Sequence, residues 1–118
     1  MLERVGDSME IGELIKNALK DVGLPIYFIK RNDETSECIV YNYIEAPNGY
    51  GDMKESSTKY TVLLNVYCKS KIEATKKKVK EAMLNVGFKK SIIAGTVQEK
   101  NDLYNTAMQF KIAIINQG

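Results

Sequence analysis

The apolar positions in the early part of the chain follow a helical period. Ile11, Leu14, Ile15, Ala18, Leu19 and Val22 fall at i, i+3, i+4, i+7, i+8 and i+11, one stripe of a helix. Asp7 or Ser8 can cap its start, Asp7 pairing with Glu10, and Gly23 ahead of Leu24-Pro25 stops it, so the pattern predicts a helix over 8–22. A second stripe, Ile72, Thr75, Val79, Ala82, Met83 and Val86, predicts another helix, opened by the capping box Ser70-Lys71-Ile72-Glu73 and closed by Gly87.

Elsewhere the period is two. Residues 26–30 and 37–45 read as strands joined by a polar turn over 31–36, and 59–69 as a third strand, with Tyr60, Val62, Leu64, Val66 and Cys68 on one face. After the second helix, residues 92–99 and 103–115 flank Lys100-Asn101-Asp102, a hairpin turn by composition. The order αβββαββ predicts an α+β fold, a mainly antiparallel sheet of about five strands with both helices on one face. Residues 9–118 read as one domain, preceded by an N-terminal extension over 1–8.

Two helices cover only one face of such a sheet, yet several strands are apolar on both. With Cys38, Val40 and Ile44 turned toward the helices, the other face carries Ile39, Tyr41, Tyr43, Leu63, Tyr67, Ala107, Ala113 and Ile115. A tyrosine-rich apolar face without a cover in its own chain marks a partner surface, and Tyr41, Tyr43, Leu63 and Tyr67 are its candidate contacts. The bland alternative is that curling strand ends bury it. The segment from Ala46 to Ser57 is much longer than an ordinary hairpin loop, and its Asn48, Tyr50, Asp52 and Lys54 suit docking onto a neighbouring protein as well as a solvated tip. Gly49-Tyr50-Gly51 lacks the third glycine and the strand-to-helix setting of a nucleotide-binding turn.

Composition removes chemistry. The 118 residues include no histidine, and the two cysteines, Cys38 and Cys68, lie in separate strand-like runs. A structural zinc site and any His-dependent catalytic set are therefore not expected, nor is a cofactor, and the cysteines read as reduced core residues. No catalytic, cofactor-binding or metal-binding residue is assigned, and the chain is expected not to be an enzyme. No apolar run is long enough to cross a bilayer, and the start lacks the apolar core of a secretion signal. The net charge of +2 is unevenly placed: residues 69–90 hold eight Lys against Glu73 and Glu81. Lys77 and Lys78 on that helix could meet nucleic acid or an acidic protein, or could simply line a solvated face. The absence of arginine or an interleaved aromatic argues against direct nucleic-acid binding.

Taken in order, Tyr41-Asn-Tyr-Ile-Glu45, the long polar loop, Tyr60-Thr-Val-Leu-Leu-Asn-Val-Tyr67, the Lys/Glu-rich helix ending Val86-Gly87-Phe88, and Asn101-Asp102-Leu103-Tyr104 leading to Met108-Gln109-Phe110 are distinctive. Together they resemble the tail terminator (tail completion, head-tail joining) proteins of long-tailed bacteriophages and prophages. The likeness spans roughly residues 9–115; members of that family usually begin near the first helix, so either Met9 is an alternative start or residues 1–8 are an added arm. The resemblance implies a structural protein of the virion, made in the bacterial cytoplasm. It implies a homo-oligomer, commonly a hexameric ring, at the head-proximal end of the tail. Such a ring caps the tail tube protein and meets the head connector, and the subunit could be monomeric in solution. The alternative from the residues alone is a small α+β binding module that uses the basic helix over 70–90 for nucleic acid or an acidic partner.

Overall fold

The computed structural model describes residues 11–48 and 57–115, with the side chain of Asn48 excluded. Helix α1 (Ile11–Leu19) precedes β1 (Ile26–Phe28), β2 (Cys38–Asn48) and β3 (Ser57–Cys68). Helix α2 (Ile72–Asn85), β4 (Lys89–Gln98), a single 3-10 turn (Lys100–Asp102) and β5 (Tyr104–Ile115) complete the chain. The fold class is α+β, a five-stranded mixed sheet in the order β1-β2-β3-β5-β4 with two helices.

The apolar stripe of α1 is buried as its period requires, with Ile11, Leu14, Ile15 and Leu19 inside. The helix ends at Leu19 and the chain turns through to Val22, so within the described residues it is shorter than its pattern predicts. Helix α2 corrects the capping-box expectation. Its N-cap is Lys71, in the left-handed region at φ 53° and with no side-chain cap, so the turn out of β3 rather than Ser70 sets where the helix begins. Its end follows the expectation: Phe88 N–H donates to Met83 O (3.2 Å) and Gly87 N–H to Leu84 O (3.1 Å), a Schellman closure around Gly87 at φ 106°. The bracing apolar pair, Met83 and Phe88, is buried in the core.

Strands β2, β3, β5 and β4 are antiparallel neighbours, but β1 pairs with β2 in parallel, Ile26 beside Ile39 and Phe28 beside Tyr41. This corrects the reading of 31–36 as a simple polar turn between the strands over 26–30 and 37–45, because a parallel pair needs a crossover. The chain leaves β1 through a turn closed by Lys30 N–H to Phe28 O (2.8 Å), with Ile29 at φ 71°. That is the rare positive-φ γ-turn, strained for a β-branched residue. Residues 29–37 then cross back over the sheet to re-enter at Cys38, a return shorter than the dozen or more residues usual for parallel strands.

Cross-strand register sets the two faces. Ile39, Tyr41 and Tyr43 lie beside Val66, Leu64 and Val62, which lie beside Thr106, Met108 and Phe110. This is the helix face: Tyr41, Leu64, Met108 and Phe110 belong to one core cluster with Ile15, Leu19, Val79 and Met83. The opposite row set, Cys38, Val40 and Ile44 with Leu63, Tyr67, Ala107, Ala113 and Ile115, forms the open face. Tyr41 and Tyr43 were therefore expected on the wrong face. Strand β2 is apolar on both alternations, and only its pairing with β3 decides which side meets the helices. The two cysteines fall on opposite faces, both free and buried, and burial raises the pKa of each thiol.

The strands outrun the helices, and the molecule extends 52 × 23 × 23 Å. Ala46, Pro47 and Asn48 pair with Lys59, Thr58 and Ser57, so the long loop expected from Ala46 begins only after Asn48. Tyr50, Asp52 and Lys54 lie outside the described residues.

Candidate functional site

The open face is built by alternation in three long strands and then divided by the crossover. Over its first half, residues 29–34 lie against Val40, Asn65 and Tyr67 and enclose a cleft of about 510 Å³. The Arg31 guanidinium stacks on the Tyr67 ring, 4.0 Å from its centroid, where the ring's negative face offsets the charge. Arg31 Nη1 is shielded from solvent and has no hydrogen-bond partner, and the same holds for Asn105 Oδ1 on the strand next to Tyr67. The Asn105 Nδ2 group donates to Glu99 Oε2 at 3.2 Å. Burial raises the Tyr67 pKa, against the lowering influence of Arg31 and with a further push up from Glu99.

Three contacts hold the crossover on the sheet. Besides Arg31 on Tyr67, Lys69 N–H donates to Glu37 Oε2 (2.6 Å) and Asn101 Nδ2 donates to the Glu34 carbonyl (3.4 Å). Asn101 reaches Glu34 because it sits in the left-handed region at φ 62°, a conformation that Asn tolerates. Within the crossover, Asp33 accepts from Thr35 N–H (2.7 Å), Thr35 Oγ1 (2.7 Å) and Ser36 Oγ (2.9 Å). These bonds, the Thr35 hydroxyl first, lower the pKa of this exposed carboxyl to about 2.

The second half of the face is bare. Ile44 is 60% exposed, Ile92 56% and Ile115 67%, with Leu63 half-buried among them. Scattered exposed apolar side chains are ordinary on a monomer, but several on one flat surface with no cover from the described chain mark a contact area.

The sheet edges beside it are poor templates for strand addition. Beyond β1, the outward-facing groups of β2 belong to Tyr43, Glu45 and Pro47. Tyr43 N–H already donates to Asn42 Oδ1 (2.8 Å), and proline has no N–H. At the opposite edge β4 shifts register twice, between Lys90 and Ile92 and between Ile93 and Thr96. Caps and bulges of this kind blunt an edge, leaving the face as the surface open to a partner.

The expected contact residues therefore separate. Leu63 lies on the bare half. Tyr67 lies on the same face under Arg31, where the crossover shields it. Tyr41 is buried beneath the helices, and Tyr43 packs beside Phe28 (5.8 Å, stacked) and Tyr60 (5.9 Å, edge-on). Lys77 and Lys78 do not share a footprint. Lys77 lines the groove with Glu73, Lys76, Lys80 and Ile93, whereas Lys78 shares another groove with Asn17 of α1 and Asp21 of the turn that follows it. Ile44, Ile92 and the crossover carboxylates were missed. The alternation of β2 could equally have put Ile44 outward, but nothing in the sequence tells a folded-back crossover from a polar turn.

Among the described residues no three Cys, Asp or Glu side chains come together to hold a metal ion, and no helix is long and apolar enough to cross a membrane. The chain matches no protein-family model, and no curated protein gives a significant match.

Proposed function

We propose that this chain is a tail terminator of a long-tailed phage or prophage. It assembles as a ring, of six subunits as in the family it resembles, on the head-proximal end of the tail tube. There it stops addition of tube protein and presents the surface that meets the head connector. It works by contact and carries out no reaction. The observation that carries this reading is the bare half of the sheet face, Ile44, Leu63, Ile92 and Ile115, exposed beside edges that do not favour strand addition. Assembly then goes through the face, and of the candidate contacts Tyr41, Tyr43, Leu63 and Tyr67 only Leu63 stays central, with Ile44 beside it. The binding-module alternative is the weaker one, since the lysines of α2 divide between two grooves that each contain an acid.

The test is tail length in particles assembled with Ile44→Lys and Leu63→Lys in one chain. Neither residue lies under the helices, so the fold should survive while charge enters the contact. Overlong tails without heads are expected; normal tails joined to heads would refute the reading. Tail tube and tape-measure genes beside this one are also expected, and metabolic neighbours would count against it.

A further inference from the structure

The open face is stepped, and charged side chains stand on both of its levels. Where β2 begins, the crossover raises a lip over Tyr67 whose Arg31 is turned down onto the ring, while Asp33 and Glu34 are exposed on it, with Lys30 also in the cleft wall. At the other end lies a hollow of about 460 Å³ whose walls include Lys59, Lys89 and Lys111. Lys89 and Lys111 are directly cross-strand, a like-charge pair that is unfavourable unless an anion joins it. Among the described residues the one ion pair is Lys76–Glu73 (3.4 Å), so none of the three lysines of the hollow has a carboxylate partner there. Between lip and hollow runs the row Asn42, Leu63, Gln109, Ile92.

We propose that two copies of this chain pack open face to open face with strands antiparallel, about a two-fold axis along that row, the exposed Asp33 and Glu34 of each lip meeting the lysine hollow of the other. The register supports the fit. Lys59 and Tyr67 lie four residues either side of Leu63, so the axis brings the lip above Tyr67 onto Lys59. A two-fold contact of this kind is self-complementary and closes at two subunits. It covers Leu63 and Ile92 against their own copies and supplies the anion that Lys89 and Lys111 lack.

The size of the contact limits its strength. From Lys59 to Tyr67 the face runs about 27 Å at ~3.3 Å per residue, and four strands ~4.8 Å apart make it about 19 Å wide. That is about 500 Å² per copy, or ~1,000 Å² in all, the lower bound for a specific interface. The dimer is therefore weak and concentration-dependent. It covers the face assigned above to the ring seam, so it is a form of the free subunit that must open before a ring can close.

Sedimentation velocity of the full chain over a concentration series tests it, at low salt and at high salt, with Glu34→Lys, Lys59→Glu and the two combined. Wild type should pass from monomer to dimer as concentration rises, with weaker association at high salt. Each single reversal puts two like-charge contacts into the dimer and should raise the dissociation constant roughly tenfold or more. The combined variant should recover most of the loss. Leu63→Arg, which sets like charges on the axis, should be monomeric, with a thermal melt within about 4 °C of the wild-type monomer. A wild-type monomer throughout the series, single reversals that dimerise undiminished, a combined variant that stays weak, or a larger ring indifferent to these changes would each overturn the proposal. Failure here leaves the tail-length test standing, because that test reads assembly on a tube and not association in solution.

Discussion

Leu63 and Leu64 are adjacent, chemically identical and on opposite faces, so truncating each to alanine tests the assignment of the sheet faces. Leu64 is 1% exposed beneath the helices, beside Tyr41 and Met108, whereas Leu63 is half-buried on the open face. Leu64→Ala removes the transfer energy of the lost methyl groups and leaves a cavity in a packed core, about 3–4 kcal/mol in all. Leu63→Ala removes contacts on one side only and leaves no closed cavity, which keeps its effect under about 1 kcal/mol. With an unfolding entropy of ~2.1 cal/mol/K per residue over 118 residues, 1 kcal/mol shifts Tm by about 4 °C. The expected losses are about 12–16 °C for Leu64→Ala and less than about 4 °C for Leu63→Ala. Thermal and urea unfolding followed by far-UV circular dichroism, at protein concentrations low enough to keep the chain monomeric, measure both. Equal losses, or a larger one for Leu63→Ala, would mean that β3 presents its other alternation to the helices and that the open face is misassigned.

Two further outcomes follow from local geometry. A Cβ at Gly12 would meet the Tyr41 hydroxyl at 2.9 Å, so Gly12→Ala should gain up to ~1 kcal/mol of helix propensity in a Tyr41→Phe background and distinctly less beside native Tyr41; identical effects in a double-mutant cycle would remove the contact from the account. The Asp33 carboxyl, lowered from 3.8 to about 2, favours the folded crossover at all pH values above its ordinary range, and that contribution is lost as pH falls through about 2. NMR titration should show the Thr35 amide moving with a midpoint near 2, and Thr35→Ala should raise it; a midpoint at the ordinary value would show that the Asp33 bonds do not hold in solution.

The elements follow from local pattern because their causes are local. The stripe from Ile11 to Val22, the Gly87 closure of α2 and the alternation of Tyr60 to Cys68 depend on residues within a turn or two of one another, and each is legible in sequence. The missing histidines and the separated cysteines likewise limit the available chemistry whatever the fold. Tertiary structure decided the rest. Residues 38–44 are apolar on both alternations, so only hydrogen-bond pairing with β3 sent Tyr41 inward and Ile44 outward. The 31–36 segment has the composition of a turn, and only the parallel pairing of β1 with β2 folded it across the sheet, putting Arg31 on Tyr67 and raising Asp33 and Glu34 beside a bare surface. Lys59, Lys89 and Lys111 sit in three different strands, and their shared hollow exists only because β3, β5 and β4 bring them together. Charge at that distance along the chain has no local signature, and it is there that the structure departs most from what the pattern of residues foretells.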